Sequence, residues 1–205
     1  MKKTIRIIAA LALSLVSLTA GAQLRWAGAV GVNVNNLKFK QDLVTVDKSM
    51  GASAGLVGEL MFPGIGFGLD LGLLYNMQGA DVNLGEREVW ASIGAGKEKV
   101  MIHNLNIPLH LRFKYTRLGG FEDKVAPFVF GGPEFNLQIA HNNGDLFKYS
   151  GGDLGLTAGG GVELFKRWQV SVAYTWGMTY VCKTKLLDNF SAQSRQLRIS
   201  ALYFF

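Results

Sequence analysis

Between His103 and Tyr115 the chain reads His-Asn-Leu-Asn-Ile-Pro-Leu-His-Leu-Arg-Phe-Lys-Tyr, and its side chains divide by parity. His103, Leu105, Ile107, Leu109, Leu111, Phe113 and Tyr115 fall on one parity; Asn104, Asn106, Pro108, His110, Arg112 and Lys114 fall on the other. A β-strand sends successive side chains to opposite faces, so one face is almost wholly apolar and the other polar and cationic. A helix would mix the two sets around its circumference. The stretch exceeds the usual soluble strand of about 5–6 residues, and about 9–11 tilted strand residues suffice to cross a bilayer. The fold therefore turns on whether the apolar face meets a protein core or lipid.

The same alternation recurs along the chain. Trp26 to Leu37 sets Val30, Val32 and Val34 against Asn33 and Asn35, and Ala52 to Phe62 sets Ala54, Leu56 and Leu60 against Ser53 and Glu59. Ile65 to Met77 holds an unbroken apolar parity opposite Gly66, Gly68, Asp70, Gly72 and Asn76. Ala126 to Ile139, Leu154 to Leu164, Trp168 to Tyr180 and Leu197 to Phe205 complete about eight strands. Gly131-Gly132-Pro133 predicts a bulge or bend, since proline cannot donate to a ladder. Polar stretches at 38–50, 80–99, 140–152 and 181–194 read as long loops, and Phe62–Ile65, Thr116–Val125 and Phe165–Trp168 as short turns. Long and short connections thus alternate, as in bacterial transmembrane barrels with long external loops and short periplasmic turns.

The N-terminus supports export. Lys2, Lys3 and Arg6 precede an apolar run from Ile7 to Leu18, and Ala20-Gly21-Ala22 resembles a signal-peptidase site, so residues 1–22 are expected to be a cleaved signal peptide and 23–205 the barrel domain. Removing those three basic residues from the formal charge of +6 leaves +3, too mild to imply nucleic acid. Cys182 is the single cysteine, which excludes an internal disulfide and a cysteine-based metal site.

With the apolar parity toward lipid, the other parity fills the lumen. The expected lumen charge network is Glu59, Asp70, Glu134 and Glu163 with Arg112, Lys114 and Arg198. An eight-stranded barrel is just wide enough for side chains to fill it, so these charges are expected to pair as a polar plug. Trp26, Phe67, Phe113, Tyr115, Trp168 and Tyr203 gather near the short turns, and Tyr75 and Tyr180 toward the long loops, as two aromatic girdles would. Thr175 falls on the lumen parity and is expected to accept arginine better than the lipid face does. A lipocalin-like soluble barrel would need the reverse arrangement, but the polar parity is too glycine-rich and lightly charged for a solvated surface.

No catalytic constellation stands out. Gly51-Ala52-Ser53-Ala54-Gly55 matches G-x-S-x-G, yet the hydrolase elbow needs a strand–turn–helix, and here an alternating strand continues. Gly159-Gly160-Gly161 lies within a strand. His103 and His110 have opposite parity and cannot share a metal on one strand.

Three segments carry a family resemblance: Trp26-Ala27-Gly28-Ala29-Val30-Gly31-Val32-Asn33, Asn104-Leu105-Asn106-Ile107-Pro108-Leu109-His110-Leu111, and Pro127-Phe128-Val129-Phe130-Gly131-Gly132-Pro133-Glu134. With them the mature chain resembles the PorT-like outer-membrane β-barrel family of diderm bacteria, and in architecture it is similar to small OmpA/OmpX-type barrels. The resemblance implies an all-β, eight-stranded antiparallel up-and-down transmembrane barrel in the outer membrane, with no shared catalytic residues. The name-giving branch is associated with protein secretion, and nothing in this chain matches that branch in particular. The expected function is non-enzymatic, carried by the external loops or by a complex with an envelope protein; a narrow diffusion pore and a lipid-modifying enzyme are the alternatives. No cofactor is expected, and the barrel is expected to be a monomer in contact with outer-membrane lipid.

Overall fold

A run of strands with one apolar face each leaves two open backbone edges, and a membrane supplies no water to satisfy them. In the computed structural model the sheet solves this by closing on itself. The structure describes residues 23–39, 45–62, 64, 66–83, 97–115, 120–141, 147–149, 151–184 and 191–205; the signal peptide expected over 1–22 lies outside them. The strands are β1 (Gln23–Phe39), β2 (Thr45–Met61), β3 (Phe67–Asn83), β4 (Lys97–Lys114), β5 (Val125–His141), β6 (Phe147–Tyr149), β7 (Gly152–Leu164), β8 (Trp168–Thr184) and β9 (Ser191–Phe204). Eight of them form the barrel: each pairs antiparallel with its sequence neighbours, β5 passing directly to β7, and β9 returns to β1. The three-residue β6 pairs with β8 beyond the end of β7.

The strands run further than their apolar alternation. Lys38 pairs with Gln193, Val46 with Val82 and Asp81 with Lys99, all within stretches whose polar composition suggested loops. Above the membrane a hairpin still needs its ladder but no longer needs an apolar face. The periodicity therefore ends before the strand does, and the external connections shorten accordingly.

On the opposite end the connections are tight. Phe165 (φ 51°) and Lys166 (φ 60°) occupy two successive left-handed positions, and the Arg167 amide donates to the Leu164 carbonyl at 3.1 Å. Two positive φ values in succession match the twist of the flanking strands. Between β4 and β5 the short 3-10 helix Phe121–Asp123 fills the turn.

Of the bulge or bend expected at Gly131–Pro133, the inserted residue is absent. The register is unchanged across it, with Pro108 opposite Glu134 and Leu111 opposite Gly131. The two strands instead approach closely, so that a Cβ on Gly132 would lie 2.3 Å from the Leu109 carbonyl oxygen. The register shift between β4 and β5 falls higher, where His103 faces Ala140 and Asn104 faces Gln138, leaving Ile139 as the extra residue.

The parity assignment is the observed one. Leu71, Leu73, Leu109, Leu111, Val129, Val170, Val172 and Ile199 are exposed on the outer wall, while Asn33, Glu59, Asp70, Asn76, Asn106, Arg112, Glu134 and Arg198 are buried inside. An outside-apolar, inside-polar wall is the inverse of a soluble barrel. Within the lumen one wall carries a small apolar cluster of Ala27, Ala29, Val57, Leu74, Leu202 and Phe204. Because the closed ladder has no edge for detergent to enter, the barrel is expected to resist SDS at room temperature and to change mobility on boiling. Unchanged mobility on gels, with recovery in the soluble periplasmic fraction, would contradict this.

Two glycines of β7 shape the interior. The inward positions of Gly159 and Gly161 are overlaid by rings from β5: an added Cβ would meet Phe130 at 2.8 Å and Phe128 at 2.9 Å, and the β8 carbonyls of Val172 and Val170 at 2.6 and 2.1 Å. Larger residues would push both rings into the lumen. We expect Gly161→Ala to destabilise the barrel by about 1–3 kcal/mol, the usual penalty of overpacking. The urea midpoint of the refolded variant measures it, and an unchanged midpoint would show that β8 yields freely.

Candidate functional site

The lumen is the chemically dense part of the molecule, and its alternating strands deliver charged side chains to two heights. The lower cluster, toward the short turns, is centred on Glu59 of β2, which is completely buried. Lys114 of β4 donates to Glu59 Oε1 and to Glu163 Oε2 of β7, each at 2.8 Å. Gln169 of β8 bridges the same two carboxylates, its Nε2 donating to Glu59 Oε2 at 2.8 Å and Glu163 Oε2 at 2.7 Å. Arg112 of β4 grips Asp70 of β3 with two nitrogens, Nε to Oδ1 at 2.9 Å and Nη2 to Oδ2 at 2.7 Å. Its Nη1 reaches Gln169 Oε1 at 2.9 Å and Glu59 Oε2 at 3.2 Å. Such planar bidentate pairing is what the guanidinium fork favours. The Arg112 guanidinium also lies 4.1 Å from the Phe128 ring centroid, on the ring that Gly161 makes room for.

Arg25 of β1 joins this cluster. Its Nη2 contacts both Glu59 and Glu163, its Nη1 donates to the Lys166 carbonyl at 2.9 Å, and its guanidinium stacks 4.3 Å from the Phe204 ring. Three cations, Arg25, Arg112 and Lys114, thus face three carboxylates, Glu59, Asp70 and Glu163. Formal charge balances, as a low-dielectric interior requires.

The second cluster lies higher. Arg198 of β9 holds Glu134 of β5 through Nη1 and Nη2 at 3.2 and 3.1 Å. His110 Nε2 sits 3.3 Å from Glu134 Oε1 without a well-directed hydrogen bond, and the imidazole stacks on Phe130 at 5.2 Å. Asn106 donates to both Glu134 and Asn136, and Asn136 donates to Asp153 Oδ2 at 3.0 Å. On the facing wall Asn33, Asn35, Asn76 and Gln196 form a carboxamide chain. Polar atoms of Asn33, Ser53, Asn104 and Asn106 have no protein partner here among the described residues, and atoms of this kind take ordered water in native interiors.

All seven residues singled out as a lumen network therefore face inward, in two groups: Glu59, Asp70, Arg112, Lys114 and Glu163 below, Glu134 and Arg198 above. Arg25, Gln169, Asn136 and Asp153 belong to these groups too. Arg25 was missed because the alternation becomes legible only from Trp26 onward. Its signal was parity: it shares the odd face of Asn33 and Asn35. Trp26, Phe67, Tyr75, Phe113, Tyr115, Trp168, Tyr180 and Tyr203 all lie exposed on the outer wall. Two ring pairs stand at the lower rim, Phe67–Phe113 at 4.9 Å and Trp168–Tyr203 at 4.7 Å.

The motifs weighed as chemistry take structural places. Residues 51–55 lie inside β2, with Ser53 buried in the lumen rather than on an elbow. His103 faces out, hydrogen-bonded to Tyr75, while His110 faces in. Among the described residues no group of three or more His, Cys, Asp or Glu is arranged to hold a metal.

Comparison with known proteins agrees with this architecture. Neisserial surface protein A (NspA) is 12% identical, with a TM-score of 0.50 over 88% of this chain and 97% of that one. The attachment invasion locus protein Ail of Yersinia pestis is 11% identical, with a TM-score of 0.44 over 89% and 99%. The N-terminal β-barrel domain of Pseudomonas aeruginosa OprF is 9% identical, with a TM-score of 0.37 over 86% and 97%. The likeness to NspA concerns the fold alone. No curated protein matches the sequence. The family described as outer membrane protein beta-barrel domain matches residues 19–182. An inside-out barrel whose sequence fits that family across most of its length has one cellular address, and the chain belongs to the outer membrane protein beta-barrel domain family of the bacterial outer membrane.

Proposed function

We propose that this protein is a closed, non-enzymatic outer-membrane barrel of the PorT-like type, acting through its external strand extensions and loops or in complex with another envelope protein. The observation that carries this reading is the lower ion cluster. Side chains from β1, β2, β3, β4, β7 and β8 meet across the lumen and bond one another, so the interior serves as a plug. Carboxylates that are each held by a cation are poor general acids or bases, which favours a structural role over a catalytic one. The strands project well past the apolar belt at the external end, which offers the surface for recognition.

Three measurements test it. In planar bilayers the refolded protein should show no discrete conductance steps; regular steps would favour a diffusion pore. Lipid A mass spectra should be the same with and without the gene; a mass shift would favour a lipid-modifying enzyme. A photo-crosslinker at the exposed external position Lys48 should capture one envelope protein in intact cells, whereas the same probe at Lys166 on the short turn should not. Capture of lipid alone from Lys48 would refute the partner reading.

A further inference from the structure

A cation on the lipid-facing parity opposes insertion unless it lies near an interface or meets an anion. Arg195 of β9 is such a residue. It shares the odd parity of Leu197, Ile199 and Tyr203, which are exposed on the outer wall. It stands opposite Trp176 of β8 on one side and Asn36 of β1 on the other. Eight positions of β9 separate it from Tyr203 of the lower girdle. At a rise of about 3.3 Å per residue and a tilt of about 40°, that is about 20 Å of height. The apolar band of such barrels is about 25 Å tall, so Arg195 lies close to its external edge. Tyr180 of the external girdle pairs with Gln193, the next outward position of β9.

The fold holds this side chain in place. The β8–β9 register shifts between Trp176 and Tyr180, and bulged residues leave the regular ladder. Arg195 Nη1 donates to the Gly177 carbonyl at 3.0 Å and to the Ser194 carbonyl at 3.4 Å. Its Nη2 donates to Gln193 Oε1 at 3.3 Å, and Gln193 Nε2 donates to the Met178 carbonyl at 3.4 Å. A guanidinium carries five N–H donors. Among the described residues, Nε and the remaining Nη2 hydrogen have no protein acceptor. Lys38 of β1 pairs in register with Gln193 and is exposed on the same outward parity as Val32 and Val34. Neither cation has a carboxylate partner among the described residues, whose carboxylate side chains lie in the lumen or, for Asp123, on the short turn. Two cations on neighbouring strands thus face the outer leaflet without a protein counter-charge there. The anion that a bilayer presents at that depth is the head-group phosphate, and long basic side chains reach toward it.

We propose that Arg195 and Lys38 bind the phosphate of an outer-leaflet lipid, with the acyl chains lying along the outer wall below them. The test uses the full barrel in dodecyl maltoside, with bound lipid counted by native mass spectrometry during titration with dioleoyl phosphatidic acid or with dioleoylglycerol, which lacks only the phosphate. Phosphatidic acid should bind saturably and at least about fivefold more tightly, since each basic side chain near a membrane surface contributes roughly that factor. Arg195→Gln and Lys38→Gln should each weaken phosphatidic acid about fivefold and leave dioleoylglycerol unchanged. Lys124→Gln, at the short-turn rim, should change neither. Equal affinity for the two lipids would overturn the proposal, as would an equal loss with Lys124→Gln, which would reduce the effect to net charge. Displacement of the lipid by excess inorganic phosphate would make the ligand a free anion and overturn the lipid assignment. Wild-type affinity in both Arg195→Gln and Lys38→Gln would overturn it too, leaving these cations to an acidic protein segment. If Arg195→Gln does not fold, Lys38→Gln and the comparison of the two lipids still decide.

Discussion

Replacing Arg112 with alanine is expected to destabilise the barrel by about 3–5 kcal/mol, the usual effect of stranding buried partner charges. The change removes both contacts to Asp70, the Gln169 hydrogen bond, the Glu59 ion pair and the stacking on Phe128. Asp70 loses its bidentate partner, and one negative charge in the lower cluster goes unmatched. The control is Lys166→Ala: Lys166 pairs with Asp123 while both side chains remain 61% exposed, and such a pair is worth about 0–1 kcal/mol. With denaturant slopes of about 1–3 kcal/mol/M in urea, the Arg112 variant should shift its midpoint by at least about 0.7 M relative to Lys166→Ala. Equal shifts would show that the cluster contributes nothing to stability. If Arg112→Ala kept its stability but opened ion conductance, the cluster would be a gate and the plug reading would fall.

An arginine on the lipid face should act at an earlier stage, on insertion. Leu71 and Val172 are 55% and 48% exposed and stand midway between the two aromatic girdles on their strands. A cationic side chain at that depth opposes insertion by about 2–4 kcal/mol. Leu71→Arg and Val172→Arg should each lower the folded fraction recovered in vesicles, and the double variant should lower it further, since the two sites are on strands that do not touch. Thr175 is a poor control, contrary to the expectation from parity alone. Its hydroxyl bonds Thr157 at 2.8 Å, and a Cβ on neighbouring Gly155 would already lie 2.8 Å from its methyl group. The position faces the lumen, yet the lumen is packed there. Full recovery of Leu71→Arg would invert the assignment of lipid and lumen faces.

Parity made the fold legible because a barrel in lipid must alternate strictly across the membrane. A single slip sends a whole strand's polar face into hydrocarbon. The seven network residues were readable for the same reason: a charge in the middle of an alternating strand has nowhere to go but inward. Other features left no such mark. The strand extensions around Lys38, Val46 and Asp81 sit in water, where pairing imposes no hydrophobic period. Phe128 and Phe130 share the lumen parity of Glu134, but the space for their rings is supplied by Gly159 and Gly161 on the adjacent strand, and that complementarity exists only once the register is known. The β5 irregularity moved from Gly131–Pro133 to Ile139 because a close backbone approach and an inserted residue call for the same residue types.

The lower cluster also sets a sequence of events in time. Arg25 meets Glu163 across 138 residues of chain, and Gln169 meets Glu59 across 110, so these bonds cannot form in any single hairpin. Local hairpins can assemble first, because closing short loops is fast and contacts at long separation come late. Until β1 meets β9 the charged groups must remain hydrated or be screened from lipid. The cluster then acts as a lock that engages when every strand is in register, so that a chain mispaired anywhere along the sheet arrives at closure with its ions unmatched and reopens.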